Sequence, residues 1–196
     1  MNTAGISAEL DEFQKSVEQF QSRAISEAQF RAIRVPMGIY EQREPGTYML
    51  RVRCPAGGIL PEHLRRLGEL ATAVGNGVLH LTTRQEIQVH RVPLSSIMAA
   101  LRFLADAGLS TNGGGGNTVR NITACRDSGV CPLEIFDVTP YAVALTGRLL
   151  ADQRSFQLPR KYKVAFAACS EDCSGATVND VGFIARQRNG TEGFAV

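Results

Sequence analysis

Four of the five cysteines fall into two pairs whose spacing is typical of metal ligands. Five residues lie within the first pair and three within the second. Four thiolates supplied by two loops suit a [4Fe-4S] cluster, which takes four cysteine ligands. Tetrahedral zinc, two disulfides and structural thiols are the alternatives, although the first pair is wider than zinc knuckles usually are. The paired cysteines are Cys125, Cys131, Cys169 and Cys173; Cys54 stands alone and is expected to be a small buried hydrophobe.

A second group of candidates consists of cations that border predicted turns and strand ends. Of the 21 basic residues, 18 are arginine and three are lysine. Arginine suits planar, bidentate recognition of carboxylates and oxyanions. A single surface cation is most often only a solvated charge, but this set could form a pocket for a polyanionic cofactor or an anionic substrate. Its members are Arg51, Arg53, Arg84, Arg120, Arg160, Lys161 and Lys163.

The composition excludes several classes of protein. Apolar residues make up 44% and charged residues 20% of the 196 residues, which suits a packed core rather than disorder, collagen or a coiled coil. The net charge of +2 is too small to indicate bulk nucleic-acid binding. No apolar run approaches the roughly 20 residues that a membrane helix needs, and the acidic start lacks the apolar stretch of a secretory signal. We therefore expect a cytoplasmic protein with no membrane partner.

The elements that must position these residues begin with an acidic helical arm. Leu10, Phe13, Val17 and Phe20 recur near helical spacing, which predicts an amphipathic packing segment. Beyond it, the order strand, helix, strand, strand, helix indicates part of a ferredoxin-like α+β sandwich. The predicted elements are a strand over 47–54, a helix over 61–74, strands over 78–82 and 86–92, and a helix that follows Pro93 and ends at Gly108.

A run of four glycines at 113–116 separates this pattern from the rest of the chain. Such a run permits sharp turns and close backbone approach, or it is a flexible linker, and the residues leave both readings open. Beyond it we predict a strand over 119–123, a helix over 134–151, and strands over 163–167 and 178–184. The expected organisation is an arm at 1–40, a half-domain at 41–112 and a further domain at 113–196.

Four short motifs, in this order along the chain, resemble the siroheme- and [4Fe-4S]-dependent sulfite and nitrite reductases. They are Met49–Arg53, Leu81–His90, Asn117–Asn121 and Leu158–Lys163. The cysteine spacing also matches the family's cluster motif, and the resemblance covers about residues 34–190. It implies an α+β fold in which a ferredoxin-like half-domain precedes a siroheme and iron–sulfur domain of the sulfite reductase type.

The resemblance also implies a reaction and a role for each matched residue. The reaction is the six-electron reduction of sulfite or nitrite at a siroheme iron that shares one cysteine sulfur, that of Cys173, with the cluster. The positions that match siroheme-holding residues are Thr82, Arg84, Gln88, Arg120 and Arg160. The positions that match residues around the substrate oxyanion are Arg53, Arg120, Lys161 and Lys163. A non-catalytic iron–sulfur electron-transfer or structural subunit is the alternative function.

The chain departs from the family pattern in two ways. His80 stands where single-chain members have an arginine four residues before Arg84, which weakens one siroheme carboxylate contact or makes it pH-sensitive. Single-chain members are also internally doubled, with oxyanion-binding cations in one half and cluster cysteines in the other. Here a half-length unit carries both sets, as in the small and dissimilatory members. We therefore expect a half-length unit or an N-terminal fragment.

The expected partners follow from this half-length organisation. They are an electron-donor protein or domain and a second half-unit: an identical chain, a related subunit or a missing C-terminal half. In that arrangement the cations of one half would face the cluster cysteines of the other across a twofold axis.

Overall fold

The computed structural model describes residues 3–196, with side chains from residue 9 onward, so Met1 and Asn2 of the predicted arm lie outside the described residues. The chain divides into two compact units. The first runs up to Arg53 and continues through residues 59–82 and 87–116, and the second comprises residues 54–58, 83–86 and 117–196. The predicted divisions after residues 40 and 112 stay predictions.

The first unit contains a four-stranded antiparallel sheet with the order β1-β2-β4-β3. Its strand, helix, strand, strand, helix sequence confirms the predicted ferredoxin-like α+β arrangement. Leu50, Val52 and Val89 are fully buried, as are Leu67 of α3 and, nearly so, Leu104 of α4. The elements are α1 (Thr3–Gln21), α2 (Glu27–Arg34), β1 (Ile39–Glu41), β2 (Thr47–Val52), α3 (Pro61–Val74), β3 (Leu79–Leu81), β4 (Ile87–Pro93) and α4 (Ile97–Asp106).

The N-terminal segment folds as two helices rather than one. Ser26 and Gln29 form a reciprocal capping box that starts α2 after the turn at the end of α1. Leu10, Phe13 and Val17 are buried, as their helical spacing predicts. The fourth residue of that stripe, Phe20, is only partly buried and stacks on Phe30 with ring centroids 4.4 Å apart.

The glycine run belongs to the packed interior of the first unit. Gly114 and Gly115 are buried. A Cβ at Gly115 would overlap the carbonyl oxygen of Val35, and one at Gly114 would lie 2.9 Å from that of Thr111. Of the two readings that the sequence leaves open, the structure therefore shows close backbone approach and not a flexible linker.

The second unit contains a four-stranded sheet with the order β5-β6-β7-β8, in which only the β7–β8 hairpin is antiparallel. Ile122, Val138 and Val164 form part of its core, and Phe166 stacks on Phe183 with ring centroids 4.6 Å apart. Its elements are β5 (Thr123–Ala124), α5 (Thr139–Leu150), β6 (Val164–Ala167), β7 (Val181–Arg188) and β8 (Thr191–Ala195).

Four details of this unit differ from the sequence prediction. The strand expected over 119–123 is reduced to β5 and one bridge between Val119 and Tyr162. The helix expected from residue 134 begins at Thr139, because Ser128 accepts the Val138 N–H and holds the preceding residues in a loop. The strand expected from residue 178 begins at Val181, after a short 3-10 turn, and β8 was not predicted because its glycine-containing segment shows little apolar alternation.

Among the described residues, no helix is long and apolar enough to cross a membrane.

Candidate functional site

Both cysteine pairs of the second unit follow strands that end at the same edge of the sheet. Cys125 comes directly after β5, and Cys169 comes two residues after β6. These strands are parallel neighbours, with Ala124 opposite Phe166. Since parallel strands end at the same edge, the loops that carry the two pairs start side by side. The fold therefore brings together two segments that lie far apart in sequence.

The two cysteine loops also contact each other beyond the strand ends. The Sγ atoms of Cys125 and Cys173 lie 2.9 Å apart as free thiols. The backbone N–H of Ile135 donates to the carbonyl oxygen of Ala168 at 2.9 Å, which ties the end of the first loop to the start of the second. Burial and the hydrogen bond with Cys173 raise the pKa of the Cys125 thiol.

Each loop is held by hydrogen bonds of its own. In the first, the N–H of Cys131 donates to the carbonyl oxygen of Asp127 at 2.9 Å. In the second, the Asp172 carboxylate accepts from the backbone N–H groups of Ala176 at 2.6 Å and Thr177 at 3.0 Å. Partial burial acts in the opposite direction, but a hydrogen bond from the Thr177 hydroxyl at 2.7 Å and these two backbone bonds lower the pKa of Asp172.

The four predicted cysteine ligands are only partly assembled. Cys125 and Cys173 are in contact, Cys169 is buried and Cys131 is half-buried. Within residues 3–196, no three side chains of histidine, cysteine, aspartate or glutamate form a group ready to hold a metal ion. The donor set nevertheless fits an iron–sulfur cluster in its chemistry, because four cysteines on two adjoining loops can supply four thiolates.

The third and fourth sequence motifs lie side by side in the second unit. The N–H of Arg120 donates to the carbonyl oxygen of Tyr162 at 2.9 Å, and the N–H of Tyr162 donates to that of Thr118 at 3.0 Å. A further bond joins the Leu158 N–H to the Asn117 carbonyl oxygen at 3.1 Å. The backbone that carries Arg120 thus runs alongside the backbone that carries Arg160, Lys161 and Lys163.

The cations of the fourth motif are available to an anion. Arg160 and Lys161 are exposed, and Lys163 is half-buried. In the part of the chain that the structure describes, none of the three forms an ion pair with an acidic side chain. Such cations fit the chemistry of a cofactor rich in carboxylates or of a small oxyanion.

Arg84, in contrast, is engaged by the second unit itself. Its guanidinium donates to the backbone carbonyl oxygens of Asn121 and Val164, the latter at 3.2 Å, and to Oδ1 of Asn179 at 2.7 Å. Burial lowers the pKa of Arg84, and the neighbouring Arg120 acts in the same direction. The structure therefore gives this predicted siroheme ligand a role in joining backbone segments.

Three of the predicted site residues belong to the first unit. Arg53 is 3% exposed, and its Nε donates to the carbonyl oxygen of Asn112 at 3.1 Å. Gln88 is also buried, whereas Thr82 is half-buried just after β3. The predicted roles of these three residues toward siroheme or substrate stay predictions.

Gln88 is the centre of a polar network on the sheet of the first unit. With its carboxamide nitrogen facing the imidazoles, Gln88 donates to Nδ1 of His80 and Nε2 of His90, each at 3.1 Å. Its oxygen then accepts from Nη2 of Arg51 at 2.9 Å. Gln42 lies 2.9 Å from the other ring nitrogen of His90. Burial, and to a lesser degree His80, lowers the pKa of His90.

Two amide side chains that the sequence prediction passed over have structural contacts near the cysteines. Gln85 bonds to the backbone of Ala124, and Asn121 donates to the carbonyl oxygens of Cys54 and Arg84 at 2.7 and 3.0 Å. Both lie inside matched motifs, but glutamine and asparagine carry no charge or ligand signal. Their importance comes from backbone contacts that residue type does not reveal.

Comparison with known proteins places both units in one family. The sequence model described as "Nitrite/Sulfite reductase ferredoxin-like half domain" matches residues 40–107. The model described as "Nitrite and sulphite reductase 4Fe-4S domain" matches residues 115–196. The chain belongs to the nitrite and sulfite reductase family. This is a family of oxidoreductases, and the matched segment of the second unit is its 4Fe-4S domain.

The relatives in this family include both nitrite reductases and sulfite reductases. The chain is 31% identical to the assimilatory ferredoxin-dependent nitrite reductase of Haloferax mediterranei, over 74% of this chain and 27% of the relative. It is 31% identical to the ferredoxin–nitrite reductase of Leptolyngbya laminosa, over 77% and 31% respectively. It is 28% identical to a ferredoxin-dependent sulfite reductase of Mycobacterium tuberculosis, over 75% and 29%. The chain therefore spans about a third or less of the length of these relatives.

Two solved structures share the fold. The structure of the Mycobacterium tuberculosis NirA protein matches with a TM-score of 0.79 and 24% identity, over 95% of this chain and 39% of that one. The structure of dissimilatory sulfite reductase I matches with a TM-score of 0.61 and 17% identity, over 71% and 32%. At these identities the likeness concerns the fold alone, and it confirms the predicted α+β class.

Proposed function

We propose that this chain is the cluster-bearing part of a siroheme-dependent sulfite or nitrite reductase. The observation that carries the proposal is the position of both cysteine pairs at one edge of the parallel β5–β6 pair, inside the segment that matches the 4Fe-4S domain. In this proposal Cys125, Cys131, Cys169 and Cys173 hold one [4Fe-4S] cluster. Cys173 is the exposed member of the set and is proposed as the cysteine that would be shared with the siroheme iron.

When bound, siroheme and the cluster would supply the redox chemistry for a six-electron reduction of sulfite to sulfide or of nitrite to ammonia. The chain's own task is to bind and orient charged groups. We assign the siroheme carboxylates to Thr82, Arg84, Gln88, Arg120 and Arg160. We assign the oxygen atoms of the substrate to Arg53, Arg120, Lys161 and Lys163, whose fixed positive charges would stabilise negative charge on an oxyanion and donate hydrogen bonds to it.

The support for these roles differs from residue to residue. Arg160 and Lys161 are exposed and make no ion pair with a described acidic residue, so an anion can reach them. Arg120 shares a paired backbone segment with them. Arg84 and Arg53 donate to backbone carbonyls of their own units, so their assignment rests on the family resemblance.

The proposed partners follow from the relatives. The Haloferax and Leptolyngbya relatives are named as ferredoxin-dependent, and we propose a ferredoxin-type protein as the electron donor of this chain. Because the chain spans only 27% and 31% of these relatives, we also propose that a second half completes the enzyme, as a copy of this chain, a related subunit or a further part of the same polypeptide.

A second candidate function is an iron–sulfur subunit that binds no siroheme. The engagement of Arg84 by Asn121, Val164 and Asn179 favours it, because a guanidinium that already joins backbone segments is less able to hold a carboxylate. The two candidates share the cluster and differ only in the tetrapyrrole.

The optical spectrum of the pure chain, reconstituted anaerobically with iron, sulfide and siroheme, tests both candidates. The proposed reductase predicts strong Soret and red bands on top of the cluster absorbance. An iron–sulfur subunit predicts only a broad brown shoulder, because siroheme passes through the desalting column. A colourless chain that retains zinc contradicts both.

A further inference from the structure

Gln85 covers the open side of the strand that leads into Cys125. β5 lies at the edge of its sheet and pairs with β6 on one side only. On its other side, Nε2 of Gln85 donates to the carbonyl oxygen of Ala124 at 2.8 Å, and Oε1 accepts from the Ala124 N–H at 3.1 Å. One carboxamide therefore satisfies both backbone groups of the residue that immediately precedes Cys125, as a neighbouring strand would.

The backbone of Gln85 is held in a conformation that is unfavourable for glutamine. Its φ is 55°, in the left-handed region that non-glycine residues rarely adopt. Such strain persists only where the surrounding contacts over-determine it, and it is concentrated at functional sites. The two hydrogen bonds to Ala124 are contacts of this kind. They require a glutamine side chain at position 85, although a side chain there makes the positive φ unfavourable.

The neighbouring backbone fits around this carboxamide. A Cβ at Gly57 would lie 3.0 Å from Cδ of Gln85, so the glycine leaves just enough room for the side chain. The N–H of Ala56 donates to the carbonyl oxygen of Ile122, the residue just before β5, at 2.9 Å. Nδ2 of Asn121 donates back to the carbonyl oxygen of Gln85 at 3.3 Å. Gln85 is thus part of an interlocked arrangement within the second unit.

We propose that Gln85 is a positioning residue for Cys125 as a ligand of the iron–sulfur cluster, an inference that rests on the function proposed above. Gln85 bonds to Ala124 and would act on the ligand only through the backbone. β5 is two residues long, so the two bonds from Gln85 are a large share of what fixes its end. Groups that fix the orientation of a metal ligand control how tightly the metal is held.

Three variants separate this positioning role from general stability. Gln85→Ala removes the carboxamide and keeps the strained φ, whereas Gln85→Gly removes the carboxamide and relieves the strain. Gln187→Ala, which removes an exposed glutamine on β7 of the same unit, is the control. Each full chain is reconstituted anaerobically with iron and sulfide, and three quantities are measured: iron content, the electron paramagnetic resonance spectrum of the reduced cluster, and the rate of cluster loss to a chelator.

We expect both Gln85 variants to bind the cluster more weakly, by roughly 10- to 100-fold, the usual loss of metal affinity when a group behind a metal ligand is removed, and therefore to lose it faster than the wild type. Their resonance spectra should differ from the wild type, whereas Gln187→Ala should match it. If Gln85→Ala does not fold, Gln85→Gly still tests the proposal, because glycine adopts the positive φ without strain. In the cluster-free chain, the Ala124 amide should also exchange with solvent faster when the carboxamide is absent.

A Gln85→Gly chain with wild-type cluster retention and a wild-type spectrum would overturn the inference. Unchanged exchange at the Ala124 amide would overturn it as well, because the bonds to Gln85 would then contribute nothing to the strand. A wild-type chain that takes up no iron–sulfur cluster would instead contradict the proposed function. Because the exchange measurement needs no cluster, the two failures can be told apart.

Discussion

Two basic segments of the second unit use their cations in opposite ways. In the segment 83–86, the guanidinium of Arg84 donates to the carbonyl oxygens of Asn121 and Val164. In the segment 158–163, Arg160 and Lys161 are exposed and make no ion pair with any acidic side chain that the structure describes. The cation of the first segment therefore stabilises the fold, whereas the cations of the second segment are available to bind an anion.

This difference shows that two residues with the same predicted role can have different surroundings in the structure. Arg84 and Arg160 match siroheme-holding positions equally well in the sequence, and both border predicted turns. Their surroundings separate them, since burial lowers the pKa of Arg84 whereas Arg160 lies on the surface. A variant at Arg84 should therefore act mainly on stability, and one at Arg160 mainly on binding.

The largest expected effect is a loss of stability in Arg84→Ala. The change leaves buried carbonyl oxygens and the side chain of Asn179 without their charged donor, which should lower the free energy of unfolding by about 2–4 kcal/mol. Urea denaturation followed by circular dichroism measures it, with Arg160→Ala as the matched control. If the two variants unfold at the same urea concentration, the guanidinium of Arg84 does not hold the backbone segments together.

A smaller effect, on binding alone, is expected for Arg160→Ala. Because this side chain is exposed, its removal should change the free energy of unfolding by less than about 0.5 kcal/mol. Siroheme affinity in a titration should fall by roughly two- to five-fold, the range of a solvent-exposed ion pair. Arg188→Ala, an exposed arginine on β7, is the control. Equal affinities for both variants would show that Arg160 is an ordinary surface charge.

The smallest expected effect is on the pH dependence of folding stability, and it concerns His90 in the first unit. The folded chain lowers the pKa of His90 from its ordinary value of 6.5, because the ring is partly buried and lies near His80. The unfolded chain therefore binds this proton more readily than the folded chain. The contribution of His90 to folding stability is present above pH 6.5 and is lost as the pH falls below it. Thermal unfolding across this range should show a steeper decline for the wild type than for His90→Gln.

Gln187→Ala, which removes an exposed glutamine on β7 and no titratable group, is the control and should retain the wild-type slope. If His90→Gln has that slope too, the ring of His90 does not couple protonation to folding.

Much of the fold could be predicted from apolar spacing and turn residues. The apolar residues of β2 and β4 and the Pro61 start of α3 place these elements of the first unit correctly. The extent of β5 could not be predicted, because the Gln85 carboxamide, rather than a further strand, pairs with Ala124 on the side away from β6. The cysteine spacing indicates a common site but not which sulfurs meet.

Gln85 marks the limit of the sequence prediction for the candidate site. It lies in a matched motif and carries no charge, and nothing in its residue type indicates a positive φ. The same limit applies to Arg84, whose charge is visible in the sequence and whose partners are backbone atoms. In both cases the tertiary position decides the role.

The central claim is that Cys125, Cys131, Cys169 and Cys173 hold one [4Fe-4S] cluster, and iron analysis of Cys173→Ser tests it most directly. Cys54→Ala, at a buried cysteine outside both pairs, is the matched control. After anaerobic reconstitution, the wild type and Cys54→Ala should each contain about four iron and four sulfide per chain, and Cys173→Ser should lose most of both. Iron and sulfide contents in Cys173→Ser equal to those of the wild type would contradict the ligand assignment.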